Sequence, residues 1–167
     1  MQLDPPLADL LRALLAGRAV GSLATLHDGR PFASMVPFAV TTAGGRLRLV
    51  VHVSGLAAHT RDMRSVPEVC LMVMAPEMDD VPPQALPRVS ISGRAVFVPG
   101  DHEEHGMLKA AYLGKFPEAA DLFQLGDFTI VTIEPESARF VAGFARAMTL
   151  TAETLAAAVD DRPHERA

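Results

Sequence analysis

The sequence predicts a mainly β protein of α+β character: an antiparallel six-stranded barrel with flanking helices. Strand-like segments cluster early and late in the chain. Hairpin turns join neighbouring strands, and helices do not alternate with strands as regular βαβ units require. The motifs of nucleotide-binding α/β proteins, such as GxGxxG or a P-loop, are absent. This pattern favours an antiparallel barrel over a doubly wound sheet.

The first elements are a helix and a hairpin. The segment 5–17 predicts a helix, because it opens with two prolines, carries leucines at helical spacing and ends at a glycine. Strands over 20–26 and 32–41 follow, joined by a turn with Asp28-Gly29 at its tip, a dipeptide that favours tight hairpins. Pro37 inside the second strand predicts an edge, a bulge or a kink.

A strand–helix junction comes next and carries most of the polar chemistry. The strand over 46–53 alternates at first and then becomes wholly apolar, as a strand entering a core would. A short polar break leads to a predicted helix over 56–65, whose first turns hold His59, Thr60 and Arg61. An imidazole, a hydroxyl and a guanidinium near a helix N-terminus suit an anionic group, because the free N–H groups there point outward.

The remaining segments continue the pattern of strands with peripheral helices. A proline-rich, acidic loop over 75–87 has surface character, Gly93 predicts a β-bulge, and Asp101 is a candidate helix N-cap. The predicted strands are 69–74, 88–98, 127–135 and 138–144, and the predicted helices are 102–112, 117–123 and 151–159.

The 167 residues predict one domain over 1–150, with a C-terminal helix and a frayed tail over 151–167. With 49% hydrophobic residues, the chain can form a full core. A net charge of −5 without a basic stripe argues against nucleic acid as a partner. No apolar run approaches the roughly 18 residues of a membrane span, and no signal peptide is visible, so no membrane partner is expected.

The single cysteine, Cys70, lies in an apolar run and is expected to be a buried thiol. Together with the absence of a signal peptide, this predicts a reduced, cytoplasmic protein. His102 and His105 share one face of a predicted helix, with Glu103 and Glu104 between them. No third ligand accompanies them, so no metal site is expected.

The order of these segments resembles the pyridoxamine 5′-phosphate oxidase-like, FMN-binding split-barrel family, nearest its haem-utilisation branch. The resemblance runs from about Val20 to Leu150, and its order and spacing are more specific for fold than for activity. The matching pieces are LATLHDGRPFASMVPFAV, SGLAAHTRDM, RVSISGRA, YLGKFPEA and DFTIVTIEPESARFVAGFARA. The resemblance implies a six-stranded split β-barrel that forms a homodimer, with FMN held at the dimer interface.

The resemblance also implies the residues of the cofactor site. One strand would give backbone contacts beside the isoalloxazine ring through Ser34, Met35, Val36 and Pro37. The next strand would end near the ribityl chain and phosphate with His52, Val53 and Ser54. His59 and Thr60 would face the phosphate, and Arg88 would point at the flavin. A phosphate needs N–H donors and cations, which fits these roles.

The chain departs from the oxidase proper at several of these places. Ala58 and His59 stand where the oxidase has its basic pair, and Ser34 and Ala39 replace an arginine and a lysine. The C-terminal tryptophan–arginine substrate motif is not visible, so oxidation of pyridoxamine phosphate itself is not expected. In the haem-utilisation branch the segment after the last strand commonly reads GFGxA, whereas here it reads GFARA, with Ala145 for glycine.

Three function hypotheses follow. The first is an FMN-binding flavoprotein, an oxidoreductase acting on a small-molecule substrate, with no residue named as catalytic. The second is a haem-binding or haem-degrading protein on the same barrel, whose axial ligand would be one of five histidines: His52, His59, His102, His105 or His164. The third is a non-enzymatic flavin- or ligand-binding module, or a barrel that has lost its cofactor. The sequence leaves open a deazaflavin in place of FMN, the substrate, and whether loop 75–87 covers the site.

Overall fold

The computed structural model describes residues 3–160. The predicted frayed tail and His164 therefore lie outside the described residues. The α-helices are α1 (Pro5–Gly17), α2 (Ala58–Ser65), α3 (His105–Lys115) and α4 (Ala152–Asp160), and short 3₁₀ segments span Ala43–Gly45, Pro83–Ala85 and Pro117–Gln124. The strands are β1 (Val20–His27), β2 (Arg30–Pro37), β3 (Ala39–Thr41), β4 (Arg48–Ser54), β5 (Glu68–Met74), β6 (Arg88–Val98), β7 (Phe128–Val141) and β8 (Ala147–Thr151).

These strands form one antiparallel sheet, which confirms the predicted fold class. The strand order is β2-β1-β5-β6-β7-β4-β3, and β8 pairs with β7 off this path. Every pairing is antiparallel. The described sheet has eight strands, so the predicted number of six was wrong. None of the helices among residues 3–160 combines the length and the apolar character needed to cross a bilayer.

Two hydrophobic clusters fix the positions of the strands. The main core lies inside the curved sheet, where Leu23, Leu71 and Phe140 are fully buried, and α1 and α4 pack against it. A smaller cluster lies on the other face of β4, beneath α3, and contains Val50 and Tyr112. Because β4 alternates between the two clusters, nearly all of its residues are buried.

The β1–β2 hairpin confirms the predicted tight turn. Asp28 has φ 50° and Gly29 has φ 73°, the positive values that two-residue hairpin turns need at both central positions. Pro37 ends β2, which is an edge strand, so its missing N–H interrupts no ladder on the sheet's inner side.

The predicted bulge at Gly93 is also confirmed. The pairing of β6 with β7 shifts register between Ser92 and Gly93. A Cβ atom at position 93 would lie 2.2 Å from the backbone oxygen of Glu134, so only glycine fits this approach.

Several element boundaries correct the sequence-based predictions. The predicted strand over 32–41 is two strands, because the backbone leaves the ladder at the fully buried Phe38. The predicted strands 127–135 and 138–144 are one continuous strand, since the bulge opposite Gly93 absorbs the irregularity near Pro135. The prediction omitted β8.

Two smaller predictions were also wrong. Helix α3 starts at His105, and its N-cap is Glu104, without a side-chain capping bond, so Asp101 does not cap it. Cys70 is only half-buried, because it lies on the outward face of β5.

Candidate functional site

The four predicted residues of β2 divide between the two faces of this edge strand. Ser34 and Val36 face the core, and Val36 is buried. Met35 and Pro37 face outward, with Met35 66% exposed. The Ser34 hydroxyl oxygen is buried and has no hydrogen-bond partner among the described residues. A buried hydroxyl without a partner is a group that a ligand can satisfy.

The three predicted residues at the end of β4 point in different directions. Val53 belongs to the main core. His52 lies on the opposite face, among the aromatic rings beneath α3. Ser54 donates its hydroxyl to the carboxylate of Asp127 at 2.6 Å. One ligand therefore cannot meet all three side chains in this arrangement.

His52 is enclosed by aromatic rings. Its imidazole stacks on Phe123 with a centroid distance of 3.7 Å and an interplanar angle of 5°, and Tyr112 and Phe128 complete the surround. Burial, helped by the nearby His105 and Lys109, lowers the pKa of His52 to about 4. This imidazole is therefore neutral at physiological pH and closed off from a large ligand.

The hydroxyl groups predicted to bind phosphate are already engaged. Thr60 is fully buried and donates its hydroxyl to the backbone carbonyl of Ser54 at 2.7 Å. The Ser54 hydroxyl donates to Asp127, and its oxygen also accepts a hydrogen bond from the backbone N–H of Leu56 at 3.1 Å. These bonds order the turn before α2, so neither hydroxyl is free to donate to a phosphate, and the Asp127 carboxylate beside them would repel one.

The other two predicted residues, His59 and Arg88, differ in whether hydrogen bonds hold their side chains. His59, on the first turn of α2, is half-buried, and burial lowers its pKa while Asp62 opposes the shift. Arg88, at the start of β6, donates to the carbonyls of Gln84 at 3.2 Å and Leu86 at 3.0 Å. Arg88 therefore holds the end of loop 75–87, and His59 is the freer of the two.

The structure also brings together His27 and Asp62, a pair that the sequence did not predict. Asp62 of α2 is buried, and its carboxylate receives the Thr25 hydroxyl at 2.8 Å and meets the Nδ1 atom of His27 at 2.8 Å. The His27 side chain is 42% exposed, and its ring lies 5.4 Å from the ring of Phe32. Since 35 residues separate His27 from Asp62, local spacing gave no signal for this pair.

The outward side of β2, β1 and β5 is an apolar surface, here called the open face. Register pairs Ser22 with both Met35 and Met72, so these side chains lie in one row across three strands. Met72 and Met74 are 37% and 39% exposed. The open face consists of Ser22, Ala24, Ala33, Met35, Cys70, Met72 and Met74.

Comparison with known proteins identifies relatives over most of the chain. A family model described as pyridoxamine 5′-phosphate oxidase matches residues 7–142. The chain is 34% identical over 140 residues to the non-canonical heme oxygenase HOZ of Arabidopsis thaliana, which covers 82% of this chain and 40% of that protein. It is 31% identical over 135 residues to the heme oxygenase HutZ of Vibrio cholerae, which covers 80% of this chain and 74% of that one.

Solved structures agree with these matches. A heme binding protein from Mycobacterium smegmatis superposes with a TM-score of 0.79 at 30% identity, covering 94% of this chain and 62% of that chain. The HutZ structure, described as a heme storage protein, superposes with a TM-score of 0.67 at 29% identity, covering 81% and 92%. The chain thus spans less than half the length of the plant relative and about three quarters of HutZ.

These relatives correct the first function hypothesis. The expected FMN-binding oxidoreductase was wrong, because the similar proteins are named for haem oxygenation, haem binding or haem storage. The engaged hydroxyls of Ser54 and Thr60 agree with this correction, since they remove the donors on which the phosphate site depended. The second hypothesis fits the relatives better.

Proposed function

We propose a haem-binding, haem-degrading function for this chain, which belongs to the pyridoxamine 5′-phosphate oxidase family. The observation that carries the proposal is that two relatives at 31% and 34% identity over most of this chain are both named heme oxygenases. The match covers only 40% of the plant relative, so the activity of that whole protein is a proposal for this chain.

The residues that β2 and α2 contribute fit a haem better than a phosphate. A haem needs apolar contact, a nitrogen ligand for iron and polar partners for its two carboxylates. Phe32 is 39% exposed, and the half-buried His59 has a lowered pKa, which leaves a neutral imidazole. The unpartnered Ser34 hydroxyl adds a polar group on the same strand as Phe32.

The chain's own part in such a reaction is to bind and orient. Haem, when bound, supplies an iron centre for oxygen chemistry. The edge strand β2 offers apolar side chains against which a flat ring can pack, and α2 offers the imidazole of His59. The buried bonds between Thr60 and Ser54 hold the start of α2 in place, which fixes the position of that imidazole.

We also propose that two copies of the chain form a homodimer through the open face. Met35, Met72 and Met74 form an exposed apolar patch on the outer side of the sheet, and such patches mark association surfaces. A twofold dimer would bury the same face of each copy, so each residue of the face would be buried in both copies.

The test of the function is a titration of the purified protein with haemin. We expect a Soret band that stays with the protein through gel filtration and that disappears when ascorbate is added in air. A protein that retains no haemin would contradict the proposal.

A second candidate, haem storage, is favoured by the description of the HutZ structure as a storage protein. The ascorbate step separates the two functions. Storage predicts a Soret band that survives the reductant in air, whereas degradation predicts its decay and release of iron.

A further inference from the structure

A cleft of about 380 Å³ lies between α1, β3, α3 and the end of α4. Its walls are largely apolar and include Leu15 of α1, Val40 of β3 and Ala111 of α3. Ligand pockets in proteins have volumes of about 300–1,000 Å³ and combine apolar walls with a few polar groups. Among the described residues, none from β2 or α2 lines this cleft, so it is separate from the residues proposed to hold haem.

The charge of the cleft is positive. Its charged residues in the described part of the chain are Arg12 of α1 and Lys115 of α3, and no carboxylate belongs to its walls there. The chain as a whole carries a net charge of −5. A cleft of local positive charge with apolar walls concentrates anions.

The ammonium group of Lys115 lies at the wall and keeps a donor. It donates to the backbone carbonyl of Arg18 at 2.6 Å and to that of Leu15, a wall residue, at 3.4 Å. An ammonium has three N–H donors, so one remains after these two bonds. Among residues 3–160, no carboxylate forms an ion pair with Lys115. Burial lowers the pKa of Lys115, and a carboxylate bound beside Nζ would oppose that shift.

Two further wall residues keep donors for an anion. Arg12 donates to the backbone carbonyl of Ala158 at 2.6 Å and pairs with Asp9, whose side chain is 71% exposed. A guanidinium has five N–H donors, and solvent screens a pair with so exposed a carboxylate. The hydroxyl oxygen of Thr41 accepts the backbone N–H of Ala43 at 3.1 Å, which leaves the hydroxyl proton for another acceptor.

The two cations lie along the same wall of the cleft. Arg12 and Leu15 are three residues apart on α1 and therefore share one face of this helix. The Lys115 ammonium contacts the carbonyl of the same Leu15. One anionic group placed between them can thus receive hydrogen bonds from two charged donors.

We propose that this cleft binds a small organic carboxylate with an apolar body. The carboxylate meets Lys115 and Arg12 in charge-assisted hydrogen bonds, which are stronger than neutral ones. The apolar body lies against the walls that Leu15, Val40 and Ala111 provide. A neutral molecule of the same shape supplies no charge to Lys115 and binds more weakly. This site goes beyond the proposed haem function and does not depend on it.

The binding of octanoate to the full chain at pH 7, measured by isothermal titration calorimetry, tests the site. The neutral probe 1-octanol has the same apolar body without the charge. The variants are Lys115→Met, which keeps an apolar stem and removes the charge, and Arg12→Gln. Lys109→Met is the matched control, because Lys109 lies on the same helix but does not line the cleft. Far-UV circular dichroism checks that each variant is folded.

We expect one equivalent of octanoate to bind the wild type with a Kd below about 1 mM, and 1-octanol to bind at least about 10-fold more weakly. Lys115→Met and Arg12→Gln should each weaken octanoate binding by about 10-fold, because each removes a charged hydrogen-bond donor. Lys109→Met should leave it unchanged. Added NaCl should weaken the binding of octanoate but not that of 1-octanol.

Three results would overturn the proposal. They are an absence of saturable octanoate binding, equal affinity for octanoate and 1-octanol, and octanoate affinity that is unchanged in Arg12→Gln. Lys115 also holds the C-terminal end of α1, so if Lys115→Met fails to fold, Arg12→Gln decides the outcome. None of these results affects the haem proposal, which the haemin titration tests separately.

Discussion

The histidines of this chain show how strongly surroundings determine what one residue type can do. His52 contacts three aromatic rings and has a buried Nδ1 atom without a partner among the described residues. His27 contacts a buried carboxylate and keeps one nitrogen at the surface. The first environment keeps an imidazole neutral within the fold, and the second, through the Asp62 hydrogen bond, raises the pKa of an imidazole at the surface.

Stability should depend on pH through His52. Its pKa in the folded protein is about 4, below its usual value of 6.5. As pH falls below 6.5, His52 binds a proton in the unfolded chain but not in the folded protein. The free energy of unfolding therefore falls between pH 6.5 and 4. The slope from this one group approaches about 1.4 kcal/mol per pH unit.

Urea unfolding at pH 7 and pH 5, compared between the wild type and His52→Phe, isolates this effect. Phenylalanine can keep the stacking on Phe123 but cannot bind a proton. The variant should lose part of the pH dependence, while contributions of opposite sign from His27 and of like sign from His59 remain in both proteins. An equal loss of stability in the two proteins would show that the pKa of His52 is not lowered by folding.

The sequence could not predict which residues of the site are free. The resemblance brought Ser54 and Thr60 to one junction, and the structure does place them together. The hydroxyl of Ser54, however, is bound by Asp127, which lies 73 residues further along the chain. Contacts of that separation depend on the pairing of β4 with β7, and local patterns do not reveal it.

At the scale of elements, prediction worked where local chemistry decides and failed where tertiary contacts decide. The Asp28-Gly29 turn and helix α1 follow from residue types that favour one conformation. The break at Phe38 follows from the burial of its ring, and β8 is short and depends on pairing with β7. Neither feature leaves a periodic signal in the sequence.

The turn between β7 and β8 gives a test at this scale. Ala145 has φ 59°, a left-handed conformation that costs a side chain about 1–2 kcal/mol. The resemblance expects glycine at this position, and the backbone explains that preference. Ala145→Gly should therefore raise the free energy of unfolding by about 1 kcal/mol, measured by urea denaturation.

Ala147→Gly is the matched control, since Ala147 is an exposed residue in the adjacent strand β8. Glycine within a strand should lower stability by about 0.5–1 kcal/mol. If both variants are destabilised, the positive φ of Ala145 does not strain the turn.

At the scale of the whole molecule, the open face is the feature that an isolated monomer does not explain. Its methionines and alanines are spread over the β1–β2 hairpin and β5, and β5 is far from that hairpin in sequence. The outward positions of an antiparallel sheet that faces solvent are ordinarily polar, and methionines at these positions support association.

Met72→Glu should separate the proposed dimer. Twofold symmetry would place two buried carboxylates in one interface, and like charges brought together cost several kcal/mol. We expect the dissociation constant, measured by analytical ultracentrifugation, to rise by roughly 100-fold or more. Leu125→Glu is the control, because Leu125 is 48% exposed outside the open face. A wild-type protein that sediments as a monomer would refute the proposed dimer.

The measurement that tests the central claim most directly is a competition between the two cofactors that the fold could hold. The purified protein is mixed with equal amounts of haemin and FMN, passed through gel filtration, and its visible spectrum is recorded. The haem proposal predicts a Soret band and no flavin bands in the protein fraction. Retained flavin without haem would contradict it.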